Sequence, residues 1–221
     1  MFKPSAILFD LDGVLLDTED INSKIWEEVL KKIGLEISKN QINNFRGKTR
    51  KDCAEIISNY SDNLKTARDI LDIHKPIFDI YMNEIYAVDF AEKTIDIILN
   101  KDIKMALVTS SSEESYKRKV NAQKFLSKIK IKVLGDNPEL KNGKPSPEPY
   151  LMACKLLNVN PSDCWVIEDS LSGIRSGYDA GCFVFCLDRN KILKKELLLN
   201  NLIKKDRIKI INDLSDLKNL F

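Results

Sequence analysis

Ser5-Ala6-Ile7-Leu8-Phe9-Asp10-Leu11-Asp12-Gly13-Val14 is the stretch on which the reading of this chain turns. Its first five residues form a short apolar run of the kind that makes a buried parallel strand, and Gly13 supplies a flexible turn directly after it. Asp10 and Asp12 therefore stand where a strand opens into a loop. On an extended segment the side chains at i and i+2 point the same way, so both carboxylates can face one ligand. Two anions so close repel each other unless a cation neutralises one or one is protonated. That implies a hard metal such as Mg²⁺, an acid–base role, or both, and phosphoryl transfer onto an aspartate uses both. Taken alone, the fragment also fits an Asx-type turn after a strand.

Outward from this strand the pattern changes twice. Ile21, Ile25, Trp26, Val29, Leu30 and Ile33 recur at helical spacing, and Gly34 is placed to end that helix. Two further helices are expected over 52–60 and 66–86, with Pro76 kinking or dividing the second, and no strand is expected between about 16 and 87. From Ala91 onward helices alternate with apolar strands, the strands over 104–109, 131–134, 164–167, 183–187 and 208–211. This is βαβ logic and predicts an α/β fold: a doubly wound, Rossmann-like parallel sheet with an all-helical insertion after its first strand. The core then comprises residues 1–15 and 88–221 and the cap residues 16–87. An insertion at that point sits over the carboxyl ends of the strands, where ligands bind in such sheets.

Composition narrows the partners. Across 221 residues, 35 basic and 33 acidic side chains leave a net charge of +2, so there is no strong basic field for nucleic acid or an anionic membrane. No apolar run approaches the ~18 residues a membrane span needs, and no leader pattern opens the sequence. The five cysteines, Cys53, Cys154, Cys164, Cys182 and Cys186, show no C-x-x-C spacing, and an odd count suits reduced thiols. A cytoplasmic protein, monomeric or weakly dimeric, is expected.

A nucleophilic Asp10 needs cations and hydrogen-bond donors from other strand ends. Lys104 to Val108 runs into Thr109-Ser110-Ser111-Ser112, where a hydroxyl and the amides opening the next helix can bind phosphate, although such a cluster also serves as a plain N-cap. Lys144 precedes three alternating prolines that stiffen its loop, so its ammonium can be held as a point charge rather than left in solvent. Trp165-Val166-Ile167 runs into Glu168-Asp169-Ser170, acids suited to Mg²⁺ or to capping the following helix.

The order D-x-D, T/S, K and E-D resembles that of the haloacid dehalogenase superfamily of phosphohydrolases. The likeness is to the subgroup with a helical cap after the first strand, which includes sugar-phosphate phosphatases and β-phosphoglucomutase. The resemblance covers essentially the whole chain, the cap least specifically. It implies that Asp10 attacks phosphorus, that Asp12 protonates the leaving oxygen and then activates water, and that Thr109 and Lys144 hold the phosphoryl group with Ser110 and Ser111 nearby. It also implies Mg²⁺ held by Asp10, the backbone carbonyl of Asp12, Asp169 and Glu168, the last directly or through water. Receiver domains also use an aspartate at a strand end, but there the acidic metal pair comes first, and this chain is about twice too long.

In the cap, Phe45-Arg46-Gly47-Lys48-Thr49-Arg50 resembles the substrate loop of the family, which makes Gly47, Thr49 and Arg50 candidate substrate contacts, with Lys75 a further one. Many relatives carry a histidine where Asn22 stands, and the single histidine, His74, is expected at the surface. Its loss at position 22 favours hydrolysis over phosphosugar mutation, because a mutase must protect its phosphoenzyme from water. The expected activity is a Mg²⁺-dependent phosphatase for a small phosphate ester, a sugar or sugar-acid phosphate. A β-phosphoglucomutase-like mutase is the alternative, and a non-catalytic binding protein on the same fold is the third reading.

Overall fold

In the computed structural model, residues 3–38, 41–42, 45, 48–61, 64–81, 85–189, 191, 193–199 and 206–220 are described. Six strands, β1 (Ala6–Phe9), β4 (Lys104–Val108), β5 (Ile131–Val133), β6 (Cys164–Glu168), β7 (Phe183–Leu187) and β8 (Ile208–Ile211), form one parallel sheet in the order β5-β4-β1-β6-β7-β8. β1 is central, and its last residue, Phe9, lies opposite Leu107 of β4 on one side and Ile167 of β6 on the other. The chain winds from β1 to β4 and β5, then crosses back to β6, β7 and β8. The winding thus reverses around β1 and leaves a crevice at its carboxyl end, the place where such sheets bind ligands.

Both faces of the sheet are covered, which is why its strands read as continuous apolar runs. On one face Ile7, Phe9, Leu107, Trp165, Ile167 and Phe185 pack with Ile95 and Ile98 of α4 (Ala91–Asn100) and with Leu214 and Leu217. On the other, Ala6, Leu8, Val108, Val166 and Val184 pack with Tyr150, Ala153 and Cys154 of α6 (Glu148–Leu157) and Ile174 of α7 (Leu171–Asp179). Leu193 and Leu197 of a short helix that the sequence pattern did not reveal, α8 (Leu193–Leu199), close that face. The remaining core helix, α5 (Glu113–Ala122), follows β4. All five cysteines are free and buried.

Between β1 and α4 lie α1 (Glu19–Ile33), α2 (Arg50–Tyr60) and α3 (Ala67–Tyr81). Gly34 ends α1 in the left-handed conformation at φ 70°, as its sequence position suggests. Two expectations are corrected here. The segment 16–87 contains strand: β2 (Leu16–Asp17) pairs antiparallel with β3 (Tyr86–Ala87) where the chain leaves and re-enters the core. Two-residue strands carry too little periodicity to be seen in sequence, and Tyr86 belongs to β3 rather than to the preceding helix, described over Ala67–Tyr81. Pro76 does not divide α3 either. Pro76 and Asp72, whose carbonyl it cannot bond, both lie on the exposed side, where water takes the released acceptor.

Candidate active site

The crevice gathers groups from three strand ends and one loop. Asp10 follows β1, its amide donating to the Ile167 carbonyl at 3.1 Å, and Thr109 follows β4, its amide donating to the Val133 carbonyl at 3.0 Å. Lys144 reaches in from its proline-bounded loop, with Nζ 2.5 Å from Asp10 Oδ1, 2.6 Å from Glu168 Oε1 and 2.9 Å from the Val108 carbonyl. Its side chain is 4 % exposed, so the ammonium is a fixed buried charge and not a solvated one. Burial acts against that charge, but the Asp10 and Glu168 carboxylates on either side raise its pKa above the usual ammonium range.

Asp10, by contrast, is strained electrostatically. Burial is the largest influence; Lys144 opposes it, and the neighbouring Glu168 and Asp12 charges add to it, so that the carboxyl is pushed up to about 7. Asp10, Glu168 and Asp169 present carboxylate oxygens that all lie within 4.8 Å of one another. Hard oxygen donors converging in this way, with too little positive charge to balance them, fit a Mg²⁺-type ion. The backbone makes room for them. A Cβ on Gly13, which sits at φ 85°, would lie 1.9 Å from Asp169 Oδ2, and a Cβ on Gly173 would lie 1.7 Å from Glu168 Oε1. Glu168 is fully buried and already accepts from Lys144, from the Tyr150 hydroxyl at 2.8 Å, and from the Asp169 and Ser170 amides and the Ser170 hydroxyl.

Asp12 has a separate set of partners. Thr18 Oγ1 donates to its Oδ1 and Ser111 Oγ to its Oδ2, both at 2.8 Å, while Lys119 Nζ bonds both oxygens at 2.5 and 2.7 Å. Burial alone would raise this carboxyl, but the Lys119 ammonium outweighs it and holds the pKa below the ordinary value. The two aspartates that look alike in sequence are thus pushed in opposite directions.

Lys119 and Tyr150 were not singled out in the sequence. Lys119 is 3 % exposed and shares the buried face of α5 with Ser115 and Tyr116. A lysine at a core-facing position of a helix was the available signal, since buried lysines are rare unless paired.

Above these groups the helical segment closes a cavity of about 140 Å³. Asp10, Asp12, Thr109, Ser110, Ser111, Lys144 and Asp169 contribute to it, together with Arg50 from the segment. Arg50 starts α2, donates from Nη2 to Ser112 Oγ at 2.7 Å and lies 4.9 Å from the centre of the Phe78 ring. Thr49 and Lys75 line an outer groove instead. Thr49 caps α2 in a reciprocal capping box with Asp52, and Lys75 is exposed, 3.6 Å from Glu114. Gly47 lies outside the described residues. His74 corrects its expected surface position: it is 3 % exposed and forms part of the cavity wall. Its neighbours along α3, exposed Lys75 and Pro76, hide that inward turn in sequence.

A parallel sheet with its switch point at an aspartate, a buried lysine and an acidic pair defines the class of phosphoryl-transfer hydrolases. Comparison with known proteins gives the family: residues 7–187 match the haloacid dehalogenase-like hydrolase model, and the chain belongs to that family. It is 28% identical over 180 residues to a phosphorylated carbohydrates phosphatase of Thermotoga maritima, covering 80% of this chain and 81% of that one. It is 29% identical over 184 residues to a bifunctional riboflavin kinase/FMN phosphatase of Arabidopsis thaliana, covering 83% of this chain but only 48% of that longer protein. The solved structure of a β-phosphoglucomutase from Clostridium difficile superposes with a TM-score of 0.75 at 25% identity, covering 88% of each chain.

Proposed function

We propose that this chain is a Mg²⁺-dependent phosphatase that hydrolyses a small phosphorylated carbohydrate or sugar acid through an aspartyl-phosphate on Asp10. The observation that carries the reading is the convergence of Asp10, Lys144, Thr109 and Asp169 at one end of the sheet, with Asp12 held apart from them by Lys119. An Asp10 oxygen attacks phosphorus and the ester P–O bond breaks. Asp12, ionised beside Lys119 in the empty site, is protonated once the bound phosphate offsets the Lys119 charge, and it gives that proton to the departing alkoxide. Water then attacks the same phosphorus and loses its proton to Asp12, the Asp10–phosphorus bond breaks, and phosphate leaves. Lys144 and the Thr109 hydroxyl neutralise and orient the phosphoryl oxygens throughout, which is most of what a protein contributes to this chemistry. Mg²⁺, held by Asp10, Asp169 and the Asp12 carbonyl, with Glu168 acting through water because its oxygens are already engaged, supplies further charge neutralisation when bound.

The similarity to named carbohydrate phosphatases supports the substrate class. Arg50 in the cavity favours the mutase alternative, since it can meet a second phosphate. Against it stand Asn22 in place of a histidine and the position of Lys75 outside the cavity. The test is release of phosphate from p-nitrophenyl phosphate and from a panel of sugar phosphates. It is run with Mg²⁺, with EDTA, and with Asp10→Asn, alongside a glucose 6-phosphate readout from β-glucose 1-phosphate. Metal-dependent release lost in Asp10→Asn supports the phosphatase. Glucose 6-phosphate formed without phosphate release supports the mutase.

A further inference from the structure

His74 has no role in the chemistry above, yet it forms part of the cavity wall. Its ring is buried on α3 between the Trp26 indole, 4.5 Å away centre to centre, and the Phe78 ring at 5.6 Å. No described residue forms a hydrogen bond with it, so the cavity contents are what remain for its nitrogens. Its nitrogens are not sealed among carbon but border the cavity, so a ligand group seated there is what can bond them.

The chemistry of the surrounding wall says what kind of partner. Burial, and secondarily the Arg50 charge, push the His74 pKa down to about 3, so the ring is neutral at any working pH. A neutral imidazole offers one N–H donor and one acceptor nitrogen. A hydroxyl satisfies either. A phosphate or carboxylate satisfies only the donor and sets its charge against the acceptor. Around the ring, Trp26, Ile42, Phe45, Cys53 and Phe78 supply apolar and aromatic surface suited to the C–H faces of a carbon skeleton. Of the two cap cations at this wall, Arg50 is committed to Ser112 and to the Phe78 ring, and Lys48 also borders the cavity.

We infer that His74 reads a hydroxyl group on the alcohol portion of the substrate, so that this site selects hydroxylated phosphate esters over their deoxy counterparts. The inference rests on the phosphatase reading and narrows it.

The test compares kcat/KM for matched pairs: glycerol 3-phosphate against propyl phosphate, and ribose 5-phosphate against 2-deoxyribose 5-phosphate. Each is measured on the wild type, His74→Phe and His74→Gln. Within a pair the ratio cancels any loss common to both esters, so a purely structural role for His74 leaves it unmoved. The expected result is a preference of at least ~10-fold for the hydroxylated member of a pair in the wild type, a ratio near one in His74→Phe, and its return in His74→Gln. If His74→Phe does not fold, His74→Leu takes its place. Equal ratios in wild type and in the Phe or Leu variant, or no discrimination within either pair in the wild type, would overturn the inference. Failure to turn over any ester, p-nitrophenyl phosphate included, refutes the phosphatase reading instead.

Discussion

Replacing the proposed nucleophile should make the metal-free protein more stable, and the gain should grow with pH. The Asp10 carboxyl moves from 3.8 to about 7 on folding, chiefly because it is buried beside other carboxylates. The native state therefore holds the proton more tightly than the unfolded chain. Whatever stability the protonated group permits is fully present below about pH 4 and is lost as pH rises to about 7. At ~1.4 kcal/mol per pKa unit, the ionised side chain costs about 4 kcal/mol at pH 8. Asparagine mimics the protonated form, and Lys144 keeps Glu168 and the Val108 carbonyl as partners. For a chain of this size Asp10→Asn should then raise Tm by on the order of 10 °C at pH 8 in EDTA, and by little near pH 4. Thermal unfolding followed by circular dichroism at several pH values reads this directly. Saturating Mg²⁺ should narrow the difference by stabilising the wild type. A variant no more stable than wild type at pH 8 in EDTA, or a difference that does not grow with pH, would refute the electrostatic reasoning.

Three further outcomes follow from the geometry. Lys119→Met removes the cation that depresses the Asp12 pKa and the bonds that orient its carboxylate, so the step in which Asp12 must be ionised to take a proton from water should shift to higher pH and kcat/KM fall roughly 10- to 100-fold near neutrality; a kcat/KM pH profile will show it. Gly13→Ala would place a methyl group against Asp169 and force a residue at φ 85°, so Mg²⁺ activation should require at least ~10-fold more metal, measured by titrating activity. The helical segment meets α5 through the Lys75–Glu114 and Arg118–Asp79 ion pairs. The first is solvent-exposed and the second half-buried, so raising salt to 1 M should increase KM by no more than a few fold, as should Glu114→Gln at low salt.

The part of the site that was legible in the sequence is the part tied to strand ends. Asp10, Thr109 and Glu168 each follow or end a run of fully buried apolar residues, and such runs announce a parallel sheet whose carboxyl ends must lie together. Lys144 was legible because its prolines mark a rigid loop. The contacts made by helices were not. Lys119 pairs with Asp12 across 107 positions, and only the packing of α5 beneath the loop after β1 brings them together. His74 and Lys75 are adjacent in sequence, and a small rotation of α3 decides which enters the cavity; the sequence alone assigned that role to Lys75, whereas packing against Trp26 and Phe78 turns His74 inward. The β2–β3 pair was hidden for a different reason, being held by two residues on each side and by no hydrophobic alternation.

The central claim is covalent: a phosphoryl group passes through Asp10. Quenching the Mg²⁺-loaded enzyme in acid during turnover of p-nitrophenyl phosphate, reducing with borohydride and mapping peptides by mass spectrometry tests it directly, because an acyl phosphate is reduced where a free carboxylate is not. The account predicts that Asp10 alone is converted to homoserine, and only when substrate is present. Turnover with Asp10 unmodified, or with the modification at another carboxylate, would contradict it.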